Sequence, residues 1–267
     1  MISPSHKAGF VNIIGKPNVG KSTLMNILVG ERLSIVSSKA QTTRHRILGL
    51  INTDEYQIVF SDTPGMLKPK YELHKSMMGF VHLTLEDADV IVFVTDLFES
   101  DEEIEEVIQK INASGAPILL VINKIDLAKE GQLEEVTAYW TARIQAATVI
   151  PISALEKFNT ERILQEIVER LPVHPPFYDK EELTDRPERF FASEIIREKI
   201  FTNYKKEIPY STEVGIEDFH EEEHLIRIRA TIFVERDSQK GIVIGDKGKM
   251  LKKVGTEARA DLEKFFG

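Results

Sequence analysis

The sequence contains no cysteine, a single tryptophan and no long hydrophobic run. The lack of cysteine excludes disulfide bonds, thiolate catalysis and cysteine-ligated zinc. The longest apolar run, residues 116–122, is far shorter than the roughly 20 residues of a membrane-spanning helix. The beginning of the chain also lacks the apolar core of a secretory signal. We therefore expect a cytoplasmic protein with no transmembrane segment, and a peripheral membrane contact stays open.

Positive charge is scarce overall and is concentrated near the end of the chain. The 267 residues carry 34 Lys and Arg against 43 Asp and Glu, a formal net charge of -9. Residues 240–253 nevertheless contain five lysines and only one acidic residue. A basic segment on an acidic body indicates a localised nucleic-acid site rather than a general attraction to polyanions.

Six short aliphatic runs alternate with helical patterns in the first part of the chain. The runs are rich in Val and Ile, as expected for strands buried on both faces of a sheet. Between them, residues 102–111 place Ile104, Val107, Ile108 and Ile111 on one helical face. This alternation predicts an α/β fold with a mixed, mostly parallel six-stranded sheet. The exception is an antiparallel hairpin of the second and third runs, which a four-residue turn joins. The six runs are residues 9–14, 46–51, 56–60, 90–94, 118–122 and 148–152.

A proline-rich segment divides the chain into two predicted domains. Residues 172–189 contain four of the eleven prolines and many charges. Such a composition suits a semi-rigid linker rather than a core element. We therefore assign residues 1–171 to the α/β domain and residues 190–267 to a second domain.

The first predicted strand is followed by a complete phosphate-binding loop. Residues 15–22 match the pattern G-x-x-x-x-G-K-[ST] between a strand and a helix. The glycines let backbone N–H groups converge on phosphate oxygens, and the helix N-terminus adds positive charge. Lys21 supplies a full charge to the β- and γ-phosphates, and Ser22 offers a hydroxyl ligand to Mg²⁺. The predicted phosphate-binding residues are Gly15, Lys16, Pro17, Asn18, Val19, Gly20, Lys21, Ser22 and Thr23.

A second motif, Asp62-Thr63-Pro64-Gly65, follows the third predicted strand. By itself this pattern is typical of an ordinary turn, but its position after a phosphate loop favours a role in the same site. Asp62 suits a contact to the hydration shell of Mg²⁺, and Gly65 can bring its backbone N–H to the γ-phosphate.

The fifth predicted strand ends in Asn123-Lys124-Ile125-Asp126, a base-recognition pattern. A carboxylate accepts two hydrogen bonds as a fork. Guanine offers that fork through N1–H and its exocyclic amine, whereas adenine does not, so Asp126 selects guanine. The Lys124 stem can lie on the base plane, and Asn123 can tie this loop to the phosphate loop. The backbone N–H that meets guanine O6 is predicted after the sixth strand, at Ser153, Ala154 and Leu155.

The basic segment contains a second glycine loop, Gly245-Asp246-Lys247-Gly248. This G-x-x-G loop lies between an aliphatic run and a lysine-rich helix start. That is the arrangement of K-homology (KH) domains, in which the loop clamps a nucleic-acid backbone. A helical pattern and two alternating strand patterns precede it, an order that resembles an α+β type II KH domain. The predicted RNA-binding residues are Ile244, Gly245, Asp246, Lys247, Gly248, Lys249, Lys252 and Lys253.

A type II KH domain ends in a third strand, which would begin where this sequence ends. We therefore expect that strand to be missing here and the sheet to have an open edge.

One further pattern, His220-Glu221-Glu222-Glu223-His224, matches the zinc-protease signature H-E-x-x-H. That signature requires a helix, which brings both histidines to one face. The flanking residues alternate with period two, so we predict a hairpin turn and no zinc site.

Residues 1–171 resemble the translation-factor-like GTPases, and among these the Era family. The resemblance is carried by the phosphate loop, by Gln41-Thr42-Thr43-Arg44-His45-Arg46 and by Asp62-Thr63-Pro64-Gly65-Met66. With the KH arrangement it extends over nearly the whole chain. It implies that residues 41–45 form the first switch loop, in which Thr43, or alternatively Thr42, closes over Mg²⁺ and the γ-phosphate. The implied catalytic residues are Lys21, Thr43 and Gly65, and the implied metal ligands are Ser22, Thr43 and Asp62.

The resemblance also bears on the rate of hydrolysis. Some GTPases place Gln after the D-x-x-G motif to orient the attacking water, but Met66 is apolar, which implies slow turnover. In related GTPases an Asn at the position of Asn18 helps to bind K⁺. Arg44 and Arg46 either act on the phosphates or are simply solvated. Residues 68–86 either pack as a helix on the sheet or form a second switch region.

The leading interpretation is a GTP-binding and GTP-hydrolysing RNA-binding switch that cycles between GTP and GDP. The resemblance implies a monomer that binds small-subunit (16S) ribosomal RNA near its 3' end and acts in 30S subunit assembly. One alternative is a kinase with the same phosphate loop, for which no Arg-rich lid is evident. Another is a scaffold whose C-terminal module binds protein.

Overall fold

The computed structural model describes residues 4–37, 39, 42–66, 77–79, 84–98 and 104–267. The chain forms two compact units. Unit 1 comprises Met1–Ser34 and Thr43–Asp185, and unit 2 comprises Ile35–Thr42 and Arg186–Gly267. The boundary between Asp185 and Arg186 falls within the proline-rich segment 172–189. A short segment from the first half of the chain belongs to unit 2.

Unit 1 contains the predicted mixed, mostly parallel six-stranded sheet, which confirms the α/β fold. Its strands are β1 (Lys7–Ile14), β2 (Ile47–Asn52), β3 (Tyr56–Asp62), β4 (Val90–Asp96), β5 (Ile118–Asn123) and β6 (Thr148–Pro151). Their order across the sheet is β2-β3-β1-β4-β5-β6. Among the strand pairs described in this sheet, β2–β3 is antiparallel and the others are parallel, which confirms the predicted hairpin. β4 and β5 are buried at every position, which explains their continuous aliphatic sequences.

The described helices of unit 1 cover the sheet with their apolar faces. They are α1 (Lys21–Val29), α2 (Glu105–Ala113), α3 (Gln132–Thr141) and α4 (Thr160–Arg170). The apolar face predicted before β5 is buried at Ile104, Val107, Ile108 and Ile111. Among the helices described in either unit, none has the length and apolar character needed to cross a membrane.

The first part of the proline-rich segment is hydrogen-bonded within unit 1. The buried Gln57 accepts the N–H groups of Phe177 and Tyr178 at 2.6 and 3.0 Å through Oε1. Its Nε2 donates to the Tyr178 carbonyl at 2.9 Å. Farther along, the Leu50 N–H of edge strand β2 donates to the Leu183 carbonyl at 2.9 Å. The Leu50 bond uses a backbone group that an open sheet edge would expose.

Unit 2 has the helix–strand–strand–helix–helix order predicted for a type II KH domain. Its elements are α5 (Glu188–Asn203), β7 (Thr212–Glu222), β8 (Leu225–Val234), α6 (Asp237–Ile244) and α7 (Lys249–Phe266). β7 and β8 form an antiparallel sheet, which has two strands among the described residues. The core of the unit contains Ile200, Tyr204, Ile208, Val214, Val243 and Val254.

The topology of unit 1 determines where its loops converge. The carboxyl ends of parallel strands meet at one edge of a sheet, and ligands bind there. The phosphate loop follows β1, the Asp62 motif follows β3, and the Asn123 and Ser153 loops follow β5 and β6. All four predicted nucleotide-binding segments therefore lie at the same edge.

Candidate nucleotide site and nucleic-acid-binding loop

The phosphate loop joins β1 to α1 through two glycines with unusual backbone conformations. Gly15 has a φ of +154° and Gly20 a φ of +103°. A Cβ on Gly15 would lie 2.1 Å from the Val94 carbonyl oxygen, and one on Gly20 would lie 2.2 Å from Asn123 Nδ2. Both positions therefore require glycine, because a side chain would collide with fixed neighbours.

Lys21 begins α1 and is only 6% exposed. Its ammonium donates to the Lys16 carbonyl at 2.7 Å, which holds the charge close to the loop. The first turn of α1 has no acidic residue, so its positive end is available to an anion. Of the other predicted phosphate-binding residues, Asn18 is exposed, Val19 is buried, and Lys16, Pro17 and Thr23 are half-buried.

Three oxygen-bearing side chains meet beside the phosphate loop. Ser22 Oγ donates to Asp62 Oδ2 at 2.8 Å and lies 3.0 Å from Thr43 Oγ1. Asp62 is completely buried. Burial raises the pKa of its carboxyl, and the Lys21 charge and the Ser22 hydrogen bond offset this only in part. Asp62 Oδ1 has no hydrogen-bond partner among the described residues. An orphaned carboxylate oxygen beside two hydroxyls fits Mg²⁺, which prefers oxygen ligands.

The geometry distinguishes the two adjacent threonines of the first switch segment. Thr42 Oγ1 donates to the Lys39 carbonyl at 2.7 Å. Thr43 Oγ1 instead lies beside Ser22 Oγ. The structure therefore brings Thr43, and not Thr42, to the candidate metal site. Gln41 lies outside the described residues.

Gly65 approaches the phosphate loop at a distance that only glycine permits. A Cβ on Gly65 would lie 2.6 Å from the backbone nitrogen of Pro17. The next residue, Met66, donates its N–H to the Gly15 carbonyl at 3.0 Å, and its side chain is buried in the core of unit 1. Met66 therefore presents no group that could orient a water. Thr63 and Pro64 are buried between these positions.

Neither arginine of the switch segment is freely solvated. Arg44 is buried. Arg46 Nε donates to Ser61 Oγ at 2.8 Å. Most of the second switch region predicted at residues 68–86 lies outside the described residues.

Asn123 connects three loops of the site. Its Nδ2 donates to the Val19 carbonyl at 2.8 Å, and its Oδ1 accepts the Ala154 N–H at 2.9 Å. The Asn123 side chain thus holds the phosphate loop against the loop that follows β6. The Ala154 N–H already donates to Asn123 in this structure. Its contact with guanine O6 stays a prediction. Leu155 is strongly exposed beside it.

Asp126 lies exposed at the same edge of the sheet. Its Oδ1 accepts a hydrogen bond from Ser153 Oγ at 2.6 Å, which fixes the carboxylate. Lys124 has a left-handed backbone, with a φ of 64°, and its ammonium binds Asp96 Oδ2 at 2.5 Å. Sequence reasoning did not select Asp96. The available signal was its position as the last residue of β4, comparable to Asp62 on β3 and Asn123 on β5.

The G-x-x-G loop of unit 2 connects α6 to α7. Gly245 and Gly248 have left-handed φ values of 72° and 78°, and Lys247 has a φ of 49°. A Cβ on Gly245 would lie 2.7 Å from the Met250 side chain. The loop therefore turns tightly against the start of α7, which requires glycine.

Exposed charge collects on this loop and on the first turns of α7. Lys249 pairs with Asp246 at 3.0 Å, and Lys253 lies 3.8 Å from Glu257. Cations near a helix N-terminus are unfavourable unless an anion joins them, so their placement fits a phosphate backbone. The exposed members of the predicted set are Ile244, Asp246, Lys247, Lys249, Lys252 and Lys253.

The zinc-protease pattern lies on a strand and a turn rather than on a helix. His220 lies on β7 opposite Arg227, and His224 lies in the turn before β8. Among the described residues, no three or more His, Cys, Asp or Glu side chains form a cluster that could hold a metal ion. The predicted hairpin is confirmed.

Comparisons with known proteins match both units. Residues 10–124 match a family described as 50S ribosome-binding GTPase, and residues 207–267 match the KH domain family. The GTPase Era of Geotalea daltonii is 47% identical over 100% of this chain and 90% of its own length. The GTPase Era of Staphylococcus epidermidis is 44% identical over 98% of this chain and 88% of its own length.

Solved structures give the same result. A crystal structure of Era in complex with MgGDPNP and nucleotides 1506-1542 of 16S ribosomal RNA has a TM-score of 0.90 and 39% identity. The match covers 97% of this chain and 89% of the chain in that structure. A variant of Aquifex aeolicus Era bound to GDP and AlF4⁻ has a TM-score of 0.91 and 39% identity, covering 98% and 90%.

The site geometry and these matches define a P-loop GTPase joined to a KH domain. Such an enzyme binds guanine nucleotides with Mg²⁺ and hydrolyses GTP to GDP and phosphate. At 44–47% identity over nearly its whole length, the chain belongs to the Era GTPase family.

Proposed function

We propose that this GTPase is a nucleotide-controlled RNA-binding switch. It acts on the 3'-terminal region of small-subunit ribosomal RNA during assembly of the 30S subunit. The observation that carries the proposal is the presence in one chain of a nucleotide site and a KH loop with exposed lysines. The binding of 16S RNA nucleotides and MgGDPNP by the related Era structure supports it.

Hydrolysis at this site rests on positioning and charge, because phosphoryl transfer needs little covalent assistance. We assign Lys21 to the β- and γ-phosphates and the Gly65 N–H to the γ-phosphate. Ser22 and Thr43 hold Mg²⁺ with Asp62 behind them, and the ion neutralises phosphate charge that develops during transfer. Met66 contributes no polar group, so we expect slow intrinsic turnover.

A K⁺ ion near the β- and γ-phosphates is part of this proposal. Asn18 is exposed on the phosphate loop with a left-handed φ of 66°, so its side chain is available to a cation. We expect faster GTP hydrolysis in K⁺ than in Na⁺ buffer of equal ionic strength, and a loss of the difference in Asn18→Ala. Equal rates for the unaltered protein would contradict this assignment.

A protein with this role would act in the cytoplasm, where ribosomal subunits assemble. We expect it to act as a monomer. Sedimentation of the protein with and without nucleotide checks the oligomeric state.

The test measures affinity for a 3'-terminal 16S RNA fragment with a non-hydrolysable GTP analogue and with GDP. We expect the GTP analogue to strengthen RNA binding by about tenfold, which is an ordinary coupling between two sites. Equal affinities in the two nucleotide states would contradict the switch.

A pair of variants on α7 tests the RNA surface in the same assay. Lys252→Ala removes a lysine near the loop and should weaken binding and lower the salt slope by about one. Lys264→Ala, an exposed lysine at the far end of the same helix, is the control and should change neither. If the unaltered protein binds no RNA and binds another protein instead, a scaffold role would be favoured.

A further inference from the structure

Asp96, the last residue of β4, binds a residue of the base-recognition motif that follows the neighbouring strand. We propose that Asp96 is a positioning residue for nucleotide binding, which holds the Lys124 stem in place for the base before the nucleotide arrives. The inference rests on the assignment of Lys124 to the base plane, and both residues belong to unit 1.

The register of the sheet brings the two residues together. β4 and β5 are parallel neighbours, and Asp96 is paired with Asn123, the last residue of β5. Lys124 follows directly, so its side chain can reach back to the end of β4. Its ammonium donates to Asp96 Oδ2 at 2.5 Å. This contact joins the end of one strand to the first residue beyond the next.

The Asp96 carboxylate is itself fixed. Its Oδ1 accepts the Phe98 N–H at 2.9 Å, and its Oδ2 accepts the Lys124 ammonium. The carbonyl of the intervening Leu97 accepts Gln132 Nε2 at 3.1 Å, which ties this turn to α3. The Asp96 side chain is only 8% exposed, whereas that of Lys124 is 32% exposed. A buried carboxylate bonded through both oxygens is a rigid support for a flexible side chain.

The backbone of Lys124 is constrained as well. Its φ of 64° and ψ of 31° place it in the left-handed region, which residues with a Cβ rarely adopt. The following Ile125 N–H donates to the Ile152 carbonyl at 3.2 Å, and the preceding Asn123 bonds to the phosphate loop. Such conformations persist where neighbouring bonds enforce them, and they are concentrated at binding sites. With the backbone and the ammonium both held, the stem between them has little freedom.

Electrostatics alone does not explain an acidic residue at this edge. A nucleotide is an anion, so a carboxylate beside its site weakens the general attraction. The order that Asp96 imposes on Lys124 explains its presence better. A free lysine side chain samples many rotamers, and ordering it on binding costs affinity. The loss of charge and the loss of order in an Asp96 variant therefore act on nucleotide affinity with opposite signs.

The main test is Asp96→Asn, which keeps an oxygen for the Phe98 N–H but turns an amide N–H₂ donor toward the Lys124 ammonium. We expect the affinities for a GTP analogue and for GDP to fall together by about fivefold, because either nucleotide must then order the lysine. KM for GTP should rise with kcat unchanged. Titration with a fluorescent guanine nucleotide and steady-state turnover measure these values.

Variants of Lys124 test the same contact from its more exposed side. Lys124→Met keeps an apolar stem without the ammonium and should weaken both affinities at least as much as Asp96→Asn. Adding Asp96→Asn to Lys124→Met should cause no further loss, because Asp96 then has no cation to hold. The control is Glu130→Gln, which removes an exposed carboxylate from the same loop and should weaken neither affinity.

The inference is overturned if Asp96→Asn binds both nucleotides as tightly as the unaltered protein, or more tightly, as the loss of a negative charge alone would predict. Losses that add in the double variant would also overturn it, since Asp96 would then act independently of Lys124. Lys124→Ala, which removes the stem, separates the two assignments. Normal affinity in Lys124→Ala would contradict the placement of Lys124 on the base, whereas weak binding there with normal binding in Asp96→Asn would contradict the inference alone.

Discussion

Single residues of the nucleotide site fall into those predicted to contact the ligand and those that hold them in place. We propose that Asp126 provides the carboxylate for guanine, and Ser153 fixes that carboxylate through a hydrogen bond of 2.6 Å. Asn123 bonds to two other loops, so the base-binding loop and the phosphate loop keep a fixed separation. Selectivity for a base depends on this rigidity as well as on the hydrogen-bonding fork.

Replacement of the Asp126 carboxylate tests base recognition. Asp126→Asn presents one acceptor and one donor where guanine needs two acceptors, so GTP affinity should fall by roughly tenfold to hundredfold. Xanthosine triphosphate, whose ring carries an oxygen in place of the amine, should bind this variant more tightly than it binds the unaltered protein. Competition binding measures both affinities.

The control for this change is Glu156→Gln, an exposed carboxylate in the neighbouring loop, which should leave both affinities unchanged. An Asp126→Asn variant with normal GTP affinity would show that another group reads the base.

The sequence was sufficient to select residues that the structure brings to one edge of the sheet, because their order and spacing follow from phosphate and base chemistry. It was not sufficient for their supports. Asp96, which binds Lys124, lies far from its partner along the chain. Only the folded structure shows such a pair.

At the scale of elements, α4 is fixed to β6 by a small charged network. Glu166 Oε2 accepts the Thr148 hydroxyl at 2.9 Å and the Arg170 guanidinium at 2.7 Å. The Thr148 hydrogen bond, more than the charge of Arg170, lowers the pKa of the Glu166 carboxyl. The network therefore stabilises the fold only while Glu166 is ionised.

Removal of that charge should give a stability difference that depends on pH. A carboxyl with a lowered folded-state pKa contributes stability above its unfolded pKa, near 4.5, and loses it as the pH falls further. We expect Glu166→Gln to lower the free energy of unfolding by about 1 kcal/mol at pH 7. The difference should vanish in acid.

Denaturant titrations at several pH values measure the effect. Glu169→Gln changes a more exposed carboxylate 3.9 Å from the same arginine and should have little effect at any pH. A difference for Glu166→Gln that persists in acid would show that the network does not act through charge.

The strands and helices themselves followed closely from hydrophobic periodicity, since β4 and β5 are buried throughout and read as continuous aliphatic runs. Two features did not. The part of the proline-rich segment at Phe177 and Tyr178 is bound by the buried Gln57, and Ile35–Thr42 belongs to unit 2. Neither has a periodic pattern, because hydrogen bonds to distant residues fix both.

At the scale of the whole molecule, a nucleotide site in unit 1 and a KH loop in unit 2 share one chain, and Thr42 and Thr43 lie on either side of a boundary between the units. If GTP and RNA favour the same conformation, each must strengthen the binding of the other by the same factor. This equality follows from thermodynamics and does not depend on how the coupling is transmitted.

The most direct test is therefore the affinity for a GTP analogue and for GDP, each measured with and without saturating 3'-terminal 16S RNA. We expect RNA to raise the ratio of GTP-analogue affinity to GDP affinity by about tenfold, equal to the factor by which the analogue favours RNA binding. An affinity ratio that is the same with and without RNA would contradict coupling between nucleotide binding and RNA binding.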